Sequence, residues 1–233
     1  MNSHKGIFLA ALAVVHSTLI VIAAENPARL AGPSLMAAAT AEKAPDADGF
    51  IQRWLILEPI RSNTPLTDNA INEVVKKEYS HEQLSVIPRD GDKVKIRETE
   101  LAWHAVDTKE YNVNLYHFAQ SYGAPTSNVL FWTMTIIDCP EELRDVRLAI
   151  GSNAASVWWV NGKQVIGIYG DRQTVIDDGV SKRLTLKKGA NIIRSAVFNA
   201  GGATDFCARL LGPDQKPLKN FKVRLNEVGN KRP

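Results

Sequence analysis

The chain has 233 residues and a formal net charge of +3, with 23% charged and 45% hydrophobic residues. So small a positive charge argues against nucleic-acid binding, and the basic residues near the C-terminus are typical of a solvated surface. The length allows one domain of ordinary size after an N-terminal leader, and it leaves no room for a second catalytic domain.

The N-terminal residues have the pattern of a leader. Residues 6–24 form an unbroken, largely apolar run that follows Lys5 and ends in small residues before Glu25. This pattern is typical of a bacterial-type secretory signal peptide, residues 1–24, and predicts a secreted or periplasmic protein. The alternative is an uncleaved N-terminal membrane anchor, because the run approaches the ~20 residues that span a bilayer. The protein contacts a membrane only in that case.

Residues 25–48 are rich in Ala, Pro and small polar residues, which predicts a flexible spacer. The folded domain is therefore predicted to span residues 49–233. One helix is predicted near its N-terminal side, because Thr67-Asp68 can cap a segment to Lys77 in which Ile71, Val74 and Val75 share a face.

Short alternating runs separated by Gly, Pro, Asn and Asp predict strands over the rest of the domain. The predicted strands are 51–57, 94–96, 101–106, 113–118, 129–137, 146–150, 157–160, 165–168, 180–186, 192–199, 206–211 and 221–225. Asn161-Gly162 predicts a type I′ hairpin turn, and Lys187 to Asn191 predicts a second hairpin loop with a left-handed Gly189. The sequence therefore predicts an all-β antiparallel sandwich of jelly-roll topology.

Cys139 and Cys207 are the two cysteines of the chain. In a secreted protein they are predicted either to form a disulfide or to be two buried free thiols, and the sequence leaves both open. No CxxC, HxxxH or HExxH spacing occurs, so no metal ligand is assigned.

The sequence does not assign a catalytic residue. A nucleophile elbow, Gly-x-Ser-x-Gly, is absent, and Gly151-Ser-Asn-Ala-Ala155 lacks its second glycine. The adjacent acids Glu141-Glu142 and Asp177-Asp178 would point to opposite faces of a strand and do not form a facing acid and base. The domain is therefore expected to be non-catalytic.

Sugar binding needs flat aromatic faces and polar groups that bracket hydroxyls. Trp158 and Trp159 are consecutive, so a regular strand would point one into the core and the other outward. The loop after the hairpin combines an aromatic, a carboxylate and a guanidinium. The predicted ligand-binding residues are Trp159, Tyr169, Asp171 and Arg172, with Asn153 and Asp205 from neighbouring loops.

Several segments carry a family resemblance: 49–60, with Trp-Leu-Ile-Leu-Glu-Pro; 103–116; the hairpin 147–168; Tyr169-Gly-Asp-Arg172; 177–181; and 199–207. They resemble the galactose-binding-like domain of bacterial proteins labelled acetyl xylan esterase, over most of residues 49–218. The resemblance implies a jelly-roll fold and a role in plant polysaccharide breakdown, with a separate hydrolase as a partner. It also allows a structural calcium ion held by Asp and backbone oxygens, and implies no other cofactor.

Three functions follow, each with a structural signature. A non-catalytic carbohydrate-binding module that binds a polysaccharide or oligosaccharide requires an exposed aromatic beside polar loop residues. A hydrolase of xylan acetyl groups requires a serine within reach of His104 or His117, with a carboxylate behind the histidine. A structural or partner-docking domain requires a sizeable apolar patch without a groove.

Overall fold

A computed structural model describes residues 34–78 and 86–226. The predicted signal peptide lies outside these residues. The strands are β1 Leu35–Ala37, β2 Glu42–Lys43, β3 Arg53–Leu57, β4 Ile60–Arg61, β5 Lys93–Ile96, β6 Thr99–Thr108, β7 Val113–Asn114, β8 Val129–Cys139, β9 Leu143–Ser152, β10 Ala155–Val160, β11 Lys163–Ile168, β12 Gly179–Val180, β13 Leu184–Leu186, β14 Gly189–Asn199, β15 Asp205–Leu211 and β16 Lys222–Arg224. The helices are α1 Asp68–Glu78 and α2 Leu115–Ser121.

The strands form two antiparallel sheets, which confirms the predicted all-β sandwich. The 11-stranded large sheet has the order β1-β6-β3-β8-β14-β10-β11, with β2, β4, β5 and β16 joined to it at other points. The 5-stranded small sheet has the order β12-β9-β15-β7, with β13 paired to β9. The main core lies between the sheets, and a second cluster lies between the large sheet and α1.

The large sheet includes residues that precede Gly49. Strand β1 pairs with β6, where Leu35 is opposite Thr108, and β2 pairs with β16. Both strands lie within the segment 25–48 that was predicted to be a spacer, so part of that segment belongs to the folded sheet. Their small apolar content gives no periodicity that sequence reasoning could detect, because each strand is only two or three residues long.

Helix α1 matches the prediction, whereas α2 replaces most of the strand predicted for residues 113–118. The Asn114 side chain accepts a hydrogen bond from the His117 amide at 2.8 Å and caps the helix. Leu115, Phe118 and Ala119 then form its buried face. The strand prediction failed here because Val113 and Leu115 also alternate, and this short pattern does not separate the two periods.

The Asn161-Gly162 hairpin is confirmed. Strands β10 and β11 pair with Val160 opposite Lys163, and both turn residues have the positive φ of a type I′ turn, 50° and 78°. The second predicted hairpin is wrong, because β13 pairs with β9 and β14 pairs with β8 and β10. Residues 187 and 188 therefore connect the two sheets, and residues 189–191 begin β14. The Asn191 side chain holds this connection, since it donates to the carbonyls of Lys187 and Gly189.

No helix within the described residues is long and apolar enough to cross a membrane.

Gly189 provides a test of backbone strain without a steric clash. Its φ is +82°, and a Cβ atom there would meet no heavy atom within 4 Å. We expect Gly189→Ala to lower the free energy of unfolding by about 1 kcal/mol, because L-residues disfavour this conformation. Chemical denaturation measures the change. Gly201→Ala is the control, since its φ is not in the left-handed range and its nearest atom is 3.9 Å away. Equal losses in both variants would contradict the argument.

Candidate functional site

The consecutive tryptophans of β10 point to opposite faces of the large sheet, and both are buried. Trp158, 0% exposed, lies in the core between the sheets. Trp159, 6% exposed, packs against Trp132 beneath α1, with ring centroids 5.6 Å apart. Trp159 therefore does not offer the exposed ring that the sequence predicted. The reason is tertiary: β10 is an inner strand, and α1 covers the face that a bare sheet would expose.

Tyr169 packs on the same side as Trp159. Its hydroxyl accepts a hydrogen bond from the Asn72 side chain at 3.0 Å, and the next amide, that of Gly170, donates to the Leu66 carbonyl at 2.7 Å. Burial raises the pKa of the Tyr169 phenol. These contacts fix the half-buried ring against α1, so Tyr169 lies on a different side of the sandwich from the loops described next.

The structure brings together three of the other predicted residues. The Asn153 amide donates to the Asp205 carbonyl at 2.9 Å, and the following amide donates to the Arg172 carbonyl at 3.0 Å. The Arg172 guanidinium pairs with Asp178 rather than with a neighbour from the predicted set. Asp171 is exposed on the same loop. The residues predicted from the sequence therefore divide between these converging loops and the α1 side.

These loops border the outer face, by which we mean the side of the small sheet that is turned away from the main core. Strand β15 alternates: Phe206, Ala208 and Leu210 enter the core, while Asp205, Cys207 and Arg209 point to the outer face. Gly151 of β9 is opposite Cys207 and belongs to the same face.

Residues 174–177 cross this outer face as a strap. The Thr174 hydroxyl donates to the Asp205 carboxylate, and Asp177 accepts from Arg209 Nε at 2.9 Å. The strap lies so close to the sheet that a side chain at Gly151 would collide with the Val175 carbonyl. The absence of a Cβ atom at Gly151 is thus what allows the strap to pass.

Tyr111 lies beside the strap and was missed as a site residue. Its ring contacts Phe50, with centroids 5.5 Å apart. The Arg209 guanidinium of the outer face lies 4.9 Å from the centre of the same Phe50 ring. Tyr111 is 40% exposed. Within residues 111–117, no local signal separates an outward tyrosine from an inward one.

The Asp205 carboxylate is held next to Tyr111. Asn112 Nδ2 donates to one oxygen at 3.0 Å, and the Thr174 hydroxyl donates to the other. An ionised carboxylate has about four acceptor positions, so both oxygens keep capacity for a ligand. Burial, and secondarily the Asp205 charge, raises the pKa of the Tyr111 phenol, which stays protonated at neutral pH and can donate.

The histidines test the requirements of a hydrolase. His104 Nε2 lies 2.9 Å from the Glu58 carboxylate, and its ring stacks on Tyr122 at 3.8 Å. Burial, followed by the charges of Asp90 and Glu58, raises the pKa of Tyr122 to about 12. His117 Nδ1 is buried without a hydrogen-bond partner. His104 therefore has a carboxylate beside it. Its contacts with Glu58 and Tyr122 do not include a serine.

The cysteines are both free and buried, which decides between the two alternatives that the sequence left open. Burial is the main cause that raises the pKa of Cys139 to about 11 and that of Cys207 to about 12. In the part of the chain that the structure describes, no group of three or more His, Cys, Asp or Glu side chains could hold a metal ion.

No protein-family profile matches the chain, and no curated protein matches it. Among solved structures, the PA14 domain of the MpAFP antifreeze protein is 10% identical, with a TM-score of 0.43, and the alignment covers 83% of this chain and 100% of that one. The PA14 sugar-binding domain of an RTX adhesin is 9% identical, with a TM-score of 0.41 and coverages of 73% and 96%. The epithelial adhesin 9 A domain from Candida glabrata, in complex with Galb1-4GlcNAc, is 10% identical, with a TM-score of 0.39 and coverages of 82% and 100%. Similarity at this level assigns no family and no ligand to the chain.

The thiols give a test of the outer-face packing. Because the thiolate is the reactive form, a pKa of about 11 for Cys139 and about 12 for Cys207 predicts very slow alkylation of the folded protein at pH 8. Mass spectrometry after iodoacetamide treatment should show two modifications in denaturant and almost none without it. Rapid labelling of Cys207 in the folded protein would show that the strap does not cover β15.

Proposed function

We propose that the protein is a non-catalytic carbohydrate-binding module whose binding site is the outer face. The observation that carries this proposal is the exposed Tyr111 ring, held over Phe50 beside the half-buried Asp205 carboxylate. An aromatic ring stacks on the C–H surface of a sugar, and a fixed carboxylate accepts its hydroxyls. This is the arrangement that a carbohydrate-binding module requires, built from residues other than most of those predicted.

The Tyr111 ring and the Asp205 carboxylate are both preorganised. Asp46 Oδ1 accepts from the Phe50 amide at 2.8 Å and from the Asp48 amide at 2.9 Å, which fixes the loop under Tyr111. Asn112 fixes Asp205. A ligand therefore meets groups whose rotamers are already restricted, so binding costs less conformational entropy than it would on a mobile loop.

The proposal extends to the setting of the protein. The resemblance of the sequence to domains of proteins labelled acetyl xylan esterase makes xylan the first polysaccharide to test, with a separate hydrolase as the partner that cleaves it. The predicted signal peptide would bring the module to the compartment in which such polymers occur. In that setting, weak binding by a single module becomes effective when it is linked to other modules or to an enzyme.

Substitution of Tyr111 tests the site directly. We expect Tyr111→Ala to weaken binding of neutral xylo-, gluco- or galacto-oligosaccharides by on the order of tenfold, because the stacking platform is lost. Asp205→Asn should weaken it by a similar factor, because the new amide group donates rather than accepts at one of the two positions. Isothermal titration calorimetry measures both, with acetate release from acetylated xylan assayed in parallel.

Two variants serve as controls. Val86→Ala shortens an exposed side chain whose residue contacts Arg194 on the α1 side, and Tyr169→Phe removes one hydroxyl from the tyrosine that was predicted from sequence. Neither should change affinity by more than about twofold. Loss of binding in Tyr169→Phe with normal binding in Tyr111→Ala would contradict the proposed site, and acetate release would contradict the non-catalytic function.

A further inference from the structure

We infer that the outer face binds an internal stretch of several sugar units rather than one terminal unit. This inference rests on the proposed function and deepens it, since it names the class of ligand as an extended glycan chain. It comes from the way apolar and polar side chains are distributed across the small sheet.

Exposed apolar side chains lie at both sides of the outer face and in its middle. Val180 of β12 is opposite Ala149, which is itself opposite Arg209, so Val180 shares the outward side with Arg209. It is 40% exposed. Val175 and Ile176 project from the strap between Val180 and Tyr111, and they are 57% and 45% exposed.

The distance across this row exceeds one sugar ring. Tyr111 lies on the β7 side and Val180 on β12, and the strand order β12-β9-β15-β7 separates them by three inter-strand steps. At about 4.8 Å for each step, the row is roughly 14 Å long. A single sugar stacked on Tyr111 would leave Val175, Ile176 and Val180 uncovered, whereas a chain laid across the strands would cover all four side chains.

Polar groups interrupt this row in its middle, which favours a glycan over a protein partner. The Asp177–Arg209 ion pair lies between Tyr111 and Val180, and Arg209 also donates to the Asp48 carbonyl at 3.2 Å. Protein interfaces are depleted of charged residues in their buried centre and place them at the rim. A glycan chain presents hydroxyls beside each apolar ring face. These hydroxyls can hydrogen-bond to the Asp177–Arg209 pair while the ring faces cover the apolar side chains, so the ion pair keeps polar partners when the ligand binds.

The guanidinium of Arg209 is already committed to this pair. Its hydrogen bonds with Asp177 are the first cause that raises its pKa. It therefore acts as a positioned hydrogen-bonding group rather than as a free cation that would attract an acidic sugar.

The test is the dependence of affinity on chain length, measured by calorimetry with neutral β-1,4-linked xylose, glucose and galactose series from monosaccharide to hexasaccharide. We expect affinity to rise steeply up to about three or four units and then to level off, since longer chains extend beyond the row. Equal affinity for the monosaccharide and the hexasaccharide would overturn the inference while leaving the proposed function intact. Failure of all three series to bind would overturn both.

Val180→Thr gives an independent variant that keeps the shape of the side chain. We expect it to weaken hexasaccharide binding by on the order of threefold and to leave disaccharide binding at Tyr111 unchanged, because only a long ligand reaches β12. Val86→Thr, on the α1 side, is the matched control and should change neither. An equal effect of Val180→Thr on short and long ligands, or no effect on either, would overturn the inference.

Discussion

The contact among three buried aromatic rings holds the two sheets together. Trp54 of β3 and Trp158 of β10 meet edge to face with centroids 6.0 Å apart, and Phe206 of β15 contacts them at 4.9 Å and 5.4 Å. Both indole N–H groups are satisfied, by the Ile51 carbonyl and by the Ser156 hydroxyl. Because the two tryptophans belong to the large sheet and Phe206 to the small one, this cluster fixes the position of one sheet on the other.

The same cluster determines what the outer face displays. With Phe206 held in the core, the alternation of β15 forces Asp205, Cys207 and Arg209 outward, and a register slip of one residue would exchange the two sets. The neighbouring Ile51 amide donates to the Ala208 carbonyl at 2.9 Å, which places Phe50 on the outer face beside Arg209. Tyr111 then packs on Phe50, so the position of the proposed site depends on the packing of Phe206 in the core beneath the small sheet.

The N-terminal strands depend on a buried ion pair. Arg53 binds the Asp107 carboxylate through two nitrogens at 2.8 Å each, and its remaining donors reach the Thr40 carbonyl and hydroxyl. Lys43 lies 3.9 Å from the same carboxylate. A guanidinium on a side chain that is 1% exposed needs hydrogen-bond acceptors, and Thr40 supplies two of them beside the Asp107 carboxylate. This requirement explains why a segment with almost no apolar pattern belongs to the sheet.

The sequence by itself determined the elements whose signal is local. Each of these signals acts within a few residues. The alternating runs predicted the antiparallel sandwich, and the turn residues Asn161-Gly162 predicted the hairpin. The spacing of Ile71, Val74 and Val75 predicted α1. The cap at Asn114 was also local, but it competed with an equally good strand pattern. Residues 187–191 contain turn residues, yet which strands they connect depends on pairing partners far away in the chain.

The site required the tertiary structure, because exposure is a property of what packs on a strand. Alternation correctly placed Trp158 and Trp159 on opposite faces, but only the position of α1 decided that Trp159 is covered. The loops of Asn153, Arg172 and Asp205 were predicted as site loops from their composition, whereas Tyr111 became a candidate only when Phe50 and the strap placed it at the surface. The sequence therefore determined which side chains alternate, and the packing of the layers decided which of them a ligand can reach.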